Sequence, residues 1–454
     1  MRNCTWSFAL LLAAAAPGCG DDDSAADDAG TDDATEVADE VGADADADAD
    51  ADVDVADEGG GTGTLTVLVT VLDPTTEDAV PTAGAAVAAD LPGGGRLEQT
   101  TGSDGRTTFE GLDWAAGTAA ATAWLDGYGL VSRVDIAEAE GEIAISLGLP
   151  LAYAPERVEV SGTASNMTDA ARHSLLVSAT ADGESFWSST PGPTWSIRVA
   201  PAVPFALVAV EFAQEPAPCV GCLSMPISGW VVQEHAAVTA PTTVDLDFAS
   251  PAPTTGVTGS FQSVTRGDSP LRTPDYGYVS VFDLESMAVL GTINTTTLRS
   301  GGVIEFDMQY VTVAAVTRPL TAFRVVGNDW VSGVIVEGYP AAGVQDLHFV
   351  DAPRMTAPAT PTTRHPLHDP LRWELFDSAL TPVLLIENDE QTVWWVRGPE
   401  DATTLTVPEP PAAVDLTALL GTRFAEGSLY FYHRHESDDY SDHYVQSGML
   451  ILEQ

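Results

Sequence analysis

From residue 63 to the end, apolar residues recur at every second position in short runs, and helical periodicity is nearly absent. Successive side chains of a strand point to opposite faces, so this pattern specifies half-buried strands. Leu65, Val67, Val69 and Val71 alternate with Thr64, Thr66, Leu68 and Thr70 in this way. Gly, Pro, Asn and Asp interrupt the runs at short intervals, as turns between strands require. The expected fold class is all-β: tandem β-sandwich domains. At about 100–200 residues per domain, the stretch holds three or four of them.

The preceding residues have the opposite character. Residues 21–58 contain 18 Asp or Glu and no Arg, Lys or aromatic residue. Such a segment buries too little apolar surface to offset its ordering entropy, and like charges extend it. It reads as a disordered acidic tether over 19–62, spanning roughly 35 Å as a flexible coil and about 150 Å at full extension. Asp44, Asp46, Asp48 and Asp50 recur at every second position and invite a calcium reading. An EF-hand loop needs glycine sixth and glutamate twelfth. Counted from Asp44, those places hold Ala49 and Val55, so diffuse cation attraction is expected rather than a formed site.

Ahead of the acids, Arg2 supplies a positive charge, residues 6–16 an apolar run, and Ala16 and Gly18 small residues before Cys19. These are the parts of a secretory signal over 1–18. The run is too short to span a bilayer, which needs about 20 apolar residues. Ala16-Pro17-Gly18-Cys19 resembles the lipobox of bacterial lipoproteins, with Ala16 where leucine is commonest and Pro17 an unusual neighbour. The resemblance implies acylation of Cys19 and anchoring at an outer membrane, facing the periplasm or the cell surface. More than one acyl chain is needed for stable anchoring, a condition that a triacylated cysteine meets.

The formal charge is −49, and all 18 basic residues are arginine. GC-rich coding bias and a salt-adapted surface both explain the absence of lysine. That absence excludes a lysine Schiff base, a phosphate-loop lysine and a Ser-Lys dyad. So negative a chain also lacks the basic patch that nucleic-acid binding needs, so no nucleic-acid partner is expected.

The first domain is placed at 63–152. Its Gly84-Ala85-Ala86-Val87, Thr101-Gly102-Ser103-Asp104-Gly105-Arg106 and Gly111-Leu112 resemble the carboxypeptidase regulatory-like domain, a small prealbumin-like sandwich. The resemblance implies a spacer module without catalytic residues. Asp104-Gly105 is a tight-turn signal, with Phe109 and Leu112 packing inward beyond it. Two middle segments, 155–253 and 254–353, look like copies: Ser228-Gly229-Trp230-Val231-Val232 parallels Ser332-Gly333-Val334-Ile335-Val336, and Pro204-Phe205 parallels Pro319-Leu320. A last segment, 357–454, carries strands around Trp373, at 383–386 and at 393–396, and a closing hairpin from 428–436 and 443–452. Its early tryptophan and late tyrosines faintly resemble a fibronectin type III or Ig-like sandwich. Arranged in a row, these domains place the last hairpin at the distal end of a stalk.

Cys219 and Cys222 are the cysteines left once Cys4 departs with the leader and Cys19 is acylated. In an exported protein the pair reads as a disulfide. A redox role needs a helix N-terminus, and zinc needs two further ligands. His433 and His435 lie two apart and share a strand face, and a turn brings His443 opposite, which is a zinc-binding spacing. With Tyr432 and Tyr440 the same tip also reads as a ligand-contact loop. His365 and His368 sit in a proline-rich stretch, a poor catalytic platform. Arg266-Gly267-Asp268 is a short string that arises by chance. No catalytic residue and no cofactor are assigned. The expected function is a non-catalytic, lipid-anchored envelope protein for adhesion, ligand binding or architecture. Its partners are the membrane, through the lipid, and an unknown envelope protein or glycan. Glycan capture by an exposed, coplanar set of Trp394, Trp395 or Tyr432 is one alternative. A metal-dependent hydrolase using the 433–443 hairpin is the other.

Overall fold

One strand wiring recurs along the chain, complete in three segments and without its seventh strand in a fourth. The computed structural model describes residues 63–453, apart from internal segments of which 217–222, 264–275 and 434–442 are the longest. In the wiring, the first strand pairs antiparallel with the fourth and parallel with the seventh. The second pairs with the third and fifth, and the fifth with the sixth. In the first segment, Gly63–Leu72 lies against Arg106–Leu112 and Glu142–Ser146. Ala86–Asp90 lies between Arg96–Thr100 and Ala119–Trp124, which pairs with Leu130–Ile136.

The second segment repeats this. Val158–Ser165 meets Thr194–Val199 antiparallel and Thr242–Thr243 with Leu246–Asp247 parallel. His173–Ala179 lies between Ser185–Trp187 and Phe205–Ala213, which pairs with Ile227–His235. The third does the same, with Thr255–Ser263 against Val303–Tyr310 and Gly343–Leu347. There Tyr276–Asp283 lies between Val289–Leu298 and Pro319–Gly327, which pairs with Trp330–Glu337. In the fourth, Leu371–Glu374 pairs with Thr404–Leu405, and Thr381–Glu387 lies between Thr392–Arg397 and Phe424–His433. Phe424–His433 pairs in turn with His443–Glu453. The fold is all-β, and in the third segment Val289–Leu298 also pairs with Val303–Tyr310, so that its strands form one continuous sheet.

Local chemistry sets the elements. Leu65, Val67 and Val69 are fully buried, as their alternation requires. Gly105 has φ 75° in the Asp104-Gly105 turn. A Cβ there would lie 2.8 Å from the Thr82 nitrogen and 2.9 Å from the Val69 oxygen, so glycine is needed for space as well as for φ. The Asp104 carboxylate accepts from the Arg106 N–H and closes the turn. Phe109 and Leu112 are buried beyond it.

The segments do not form a row. Residues 130–133 of the first segment pair in parallel with residues 394–397 of the fourth. Residues 330–334 of the third pair antiparallel with residues 443–447 of the fourth. Both edges of the fourth segment's main sheet are thus occupied by sixth strands from elsewhere, and one sheet of sixteen strands runs through segments one, three and four. The last segment is an internal joint rather than a distal tip. The physical reason is that exposed edges offer unpaired main-chain groups, and here the segments satisfy one another's edges.

The interior follows the same plan. One apolar cluster is confined to the first segment and another to the second. A central cluster draws on all four: Leu130, Val208, Trp230, Phe323, Trp394 and Phe431 among others. This explains why the strand Phe205–Ala213, Glu211 apart, is apolar on both faces. Phe205, Leu207 and Ala209 face the second segment's own core, while Ala206, Val208, Val210 and Phe212 face the central one.

At the joint, the indole N–H of Trp394 donates to the Ser132 hydroxyl at 2.9 Å, and Ser132 also meets the Thr122 hydroxyl at 2.8 Å. All three side chains are buried. Ser132→Ala leaves the indole N–H without its acceptor, and the expected loss is about 1–3 kcal/mol. A urea midpoint shifted by less than the error of replicate titrations would show that the bond contributes nothing.

Candidate functional site

The C-terminal hairpin is the site to which the sequence points most directly. Phe424–His433 and His443–Glu453 pair along their whole length, with His433 opposite His443 and Tyr432 opposite Tyr444. The third segment grips the same base, with Gly333 opposite Tyr444 and Val334 opposite His443. His435 and Tyr440 lie outside the described residues, as do the side chains of Tyr432, His433 and His443. Among the described residues, no group of three or more His, Cys, Asp or Glu side chains is placed to hold a metal ion.

Cys219 and Cys222 also lie outside the described residues, in the connection between the paired strands Glu215–Pro216 and Leu223–Ser224. Cys19, the acidic segment and Arg266-Gly267-Asp268 fall outside as well. Among the described residues, no helix is long and apolar enough to cross a membrane.

The tryptophan pair is not an open platform. Trp394 is fully buried, with its indole N–H bonded to Ser132. Trp395 is half-buried and lies over Gly129, where an added Cβ would come within 2.7 Å of the ring. The expectation of coplanar, exposed Trp394 and Trp395 is corrected by the alternation of the strand itself: neighbouring residues face opposite sides of a sheet.

The proline-rich stretch near residue 365 is part of the fold rather than a linker. Arg364–Pro366 pairs in parallel with the last strand. The His368 ring nitrogen Nδ1 contacts the Val407 carbonyl at 2.9 Å, and its Nε2 lies 3.5 Å from the Glu409 carboxylate. Arg96 of the first segment reaches the carbonyls of Glu409 and Pro410 at 2.8 and 2.7 Å, and Glu98 accepts from the Ala412 N–H. Residues 409–412 are thus tied to the Arg96–Thr100 strand through two of its side chains.

One polar group in the core escaped the sequence reading. Glu211, 1% exposed, lies near the end of the apolar strand Phe205–Ala213. It accepts from the Thr168 and Asp169 N–H groups, and one carboxylate oxygen lies 2.7 Å from His173 Nδ1. The Ser228 hydroxyl lies 3.3 Å from the same ring nitrogen. A nucleophile needs the base's other nitrogen when an acid holds the first. Both partners here meet Nδ1, so the trio anchors the loop before His173 rather than activating Ser228. A single acid inside an otherwise apolar run was the available signal.

Burial lowers the pKa of His235, which stacks on Phe205 at 5.2 Å. Burial also raises Tyr339, with smaller contributions from Tyr310 and Asp283. Glu387 is raised chiefly by burial. The Thr392 hydroxyl opposes this, and Glu426, its cross-strand neighbour, adds a like charge.

No protein-family model matches the sequence. No curated protein matches it either. Solved structures similar to it include the TIE protein of Bacillus anthracis, at 10% identity over 63% of this chain and 51% of that one, TM-score 0.16. The major pilin subunit of Bacillus cereus is similar at 10% identity over 64% of this chain and 99% of its own, TM-score 0.14. Two B repeats of the collagen-binding protein of Staphylococcus aureus are similar at 9% identity, over 87% and 100%, TM-score 0.14. The chain spans about half the length of the first of these. Likenesses of this size carry no argument about activity or ligand.

The raised Glu387 yields a test of the hairpin's supporting sheet. A carboxyl whose folded pKa exceeds its unfolded value of about 4.5 destabilises the fold when ionised, and the cost fades as pH falls through the folded value. Glu387→Gln, which retains an acceptor for Thr392, is expected to raise the melting temperature at pH 7. The gain should shrink toward pH 4. A variant less stable than the parent at pH 7 contradicts this.

Proposed function

We propose that the chain is a non-catalytic protein of the bacterial cell envelope, held at the outer membrane through an acylated Cys19. On this reading residues 19–62 are a flexible acidic spacer, and residues 63–454 are a β-sandwich body that binds a protein or glycan or serves envelope architecture. The observation that carries it is the order of the parts: a small-residue junction ending in Cys19, then 38 residues with 18 acids and no base, then strands to the end. That order suits projection of a folded body from a surface. The prealbumin-like resemblance of residues 63–152, and the repeat of the same wiring in each segment, favour modules that present a surface over a buried reaction centre. A disulfide between Cys219 and Cys222 would close the tip of its hairpin.

The anchor is tested directly. Detergent-phase partitioning and incorporation of labelled palmitate are expected for the parent and absent for Cys19→Ala; a variant that still partitions overturns the anchor. Protease treatment of whole cells then distinguishes the cell surface from the periplasm.

The competing reading is a metal-dependent hydrolase at the hairpin, supported by the pairing of His433 with His443. Purified protein is expected to contain no stoichiometric zinc. Zinc present at one equivalent and lost in His433→Ala and His443→Ala would replace the non-catalytic reading with the hydrolase.

A further inference from the structure

Three of the four sixth strands have a second neighbour, and one does not. Leu130–Ile136 is joined by Thr392–Arg397, and Trp330–Glu337 and His443–Glu453 are joined to each other. Among the described residues, Ile227–His235 pairs only with Phe205–Ala213.

Its outward row can be assigned from both sides. The Ala252 N–H donates to the Trp230 carbonyl at 2.7 Å, so Trp230 directs its main-chain groups away from Phe205–Ala213. On the far side, the Thr180 N–H donates to the Ala206 carbonyl and the Ala206 N–H to the Thr180 hydroxyl. Ala206, Val208 and Val210 therefore face that side. Their register partners Glu234, Val232 and Trp230 form the non-hydrogen-bonded pairs of the ladder and point outward. Ala252 occupies the edge at Trp230, while Val232 and Glu234 lie beyond it. Val232 is half-buried and Glu234 exposed.

What fits this edge is indicated by the rest of the chain. The equivalent strands of segments three and four pair antiparallel with each other, Trp330 opposite Ser447 and Gly333 opposite Tyr444. Pairing of two sixth strands is thus already an interface in this fold. An antiparallel strand pair is also self-complementary about a twofold axis. We propose that the Ile227–His235 edge pairs with the same edge of a second copy, antiparallel about Val232, to give a twofold dimer. Glu234 is the one carboxylate among residues 230–235, so the edge itself adds little repulsion. Residues 62–454 carry 49 acids against 17 arginines, a charge that opposes association at longer range and makes the dimer stronger as salt rises.

The test is sedimentation equilibrium on residues 62–454, one compact unit. It is run at low salt and at about 1 M, where the Debye length falls to about 3 Å. A monomer–dimer equilibrium shifted toward dimer by salt is expected. Val232→Pro removes an outward N–H, a place where an edge strand tolerates proline, and is expected to leave the melting curve in place while abolishing the dimer. Glu234→Pro acts on the next outward N–H and serves if Val232→Pro fails to fold. A parent that stays monomeric at high salt and high concentration overturns the proposal. So does a folded proline variant that dimerises as well as the parent. Strand addition by a different protein would appear as the first of these outcomes.

Discussion

The main-chain ladder between residues 130–133 and 394–397 is the constraint on which the architecture turns. It links the first segment to the last, and Trp394 at one end of it is held by a hydrogen bond to Ser132 across 262 residues of sequence. With the second ladder, from residues 330–334 to 443–447, it closes both edges of the fourth segment's main sheet. The central core follows from these joints, because its side chains come from all four segments. Closing a joint so distant in sequence costs loop entropy before any contact offsets it. The first two segments can collapse around clusters of their own. The central cluster is complete only with the last segment in place.

Four copies of one wiring do not require four similar sequences. Alternation decides which face of a strand is buried, and turns decide which strand comes next; many sequences satisfy both. The copies accordingly differ where they meet other things. Phe205–Ala213 is apolar on both faces because two cores press on it. Thr381–Glu387 has four consecutive buried apolar residues, Val383 to Ile386, for the same reason: it is central in its sheet with both faces covered. Gly63–Leu72, with one covered face, keeps the simple alternation.

These differences mark what the sequence made legible. The all-β class, the Asp104-Gly105 turn, the buried Phe109 and the closing hairpin each rest on interactions within a few residues or one strand pair. The repeat was visible where Ser228 to Val232 and Ser332 to Val336 occupy the same sixth strand, and where Phe205 and Leu320 stand at the start of the same fifth strand. The recurrence in the first and fourth segments was not, because wiring is a property of pairing rather than of residue identity. Nor was the joint, since nothing local to Leu130 specifies Trp394 as its neighbour. The apolar runs at 205–210 and 383–386 were one trace of shared burial: a strand buried on both faces needs a second partner layer. Trp394 and Trp395 carried a further trace, because adjacent bulky residues on one strand imply two covered faces. For the hairpin, the sequence named the two strands, and the register placed His433 opposite His443.

The joints also show how so acidic a chain coheres. Net charge of this size favours expansion, and ion pairs between segments would be scarce with so few bases. The ladders avoid the difficulty by using main-chain groups, whose pairing is indifferent to side-chain charge. Where a cation does serve, it is arginine used for its planar fork. Arg96 spans Asp90 and Glu98 on its own segment and the Glu409 and Pro410 carbonyls of the last. Lysine presents a point charge and lacks that fork, so one side chain would not hold two carboxylates and two carbonyls in fixed directions. A surface depleted of lysine therefore loses flexible, solvated cations but keeps those that can build a joint. The cohesion of the body rests on backbone pairing, a shared apolar core and a few such forks, which leaves the acidic exterior free to vary with its surroundings.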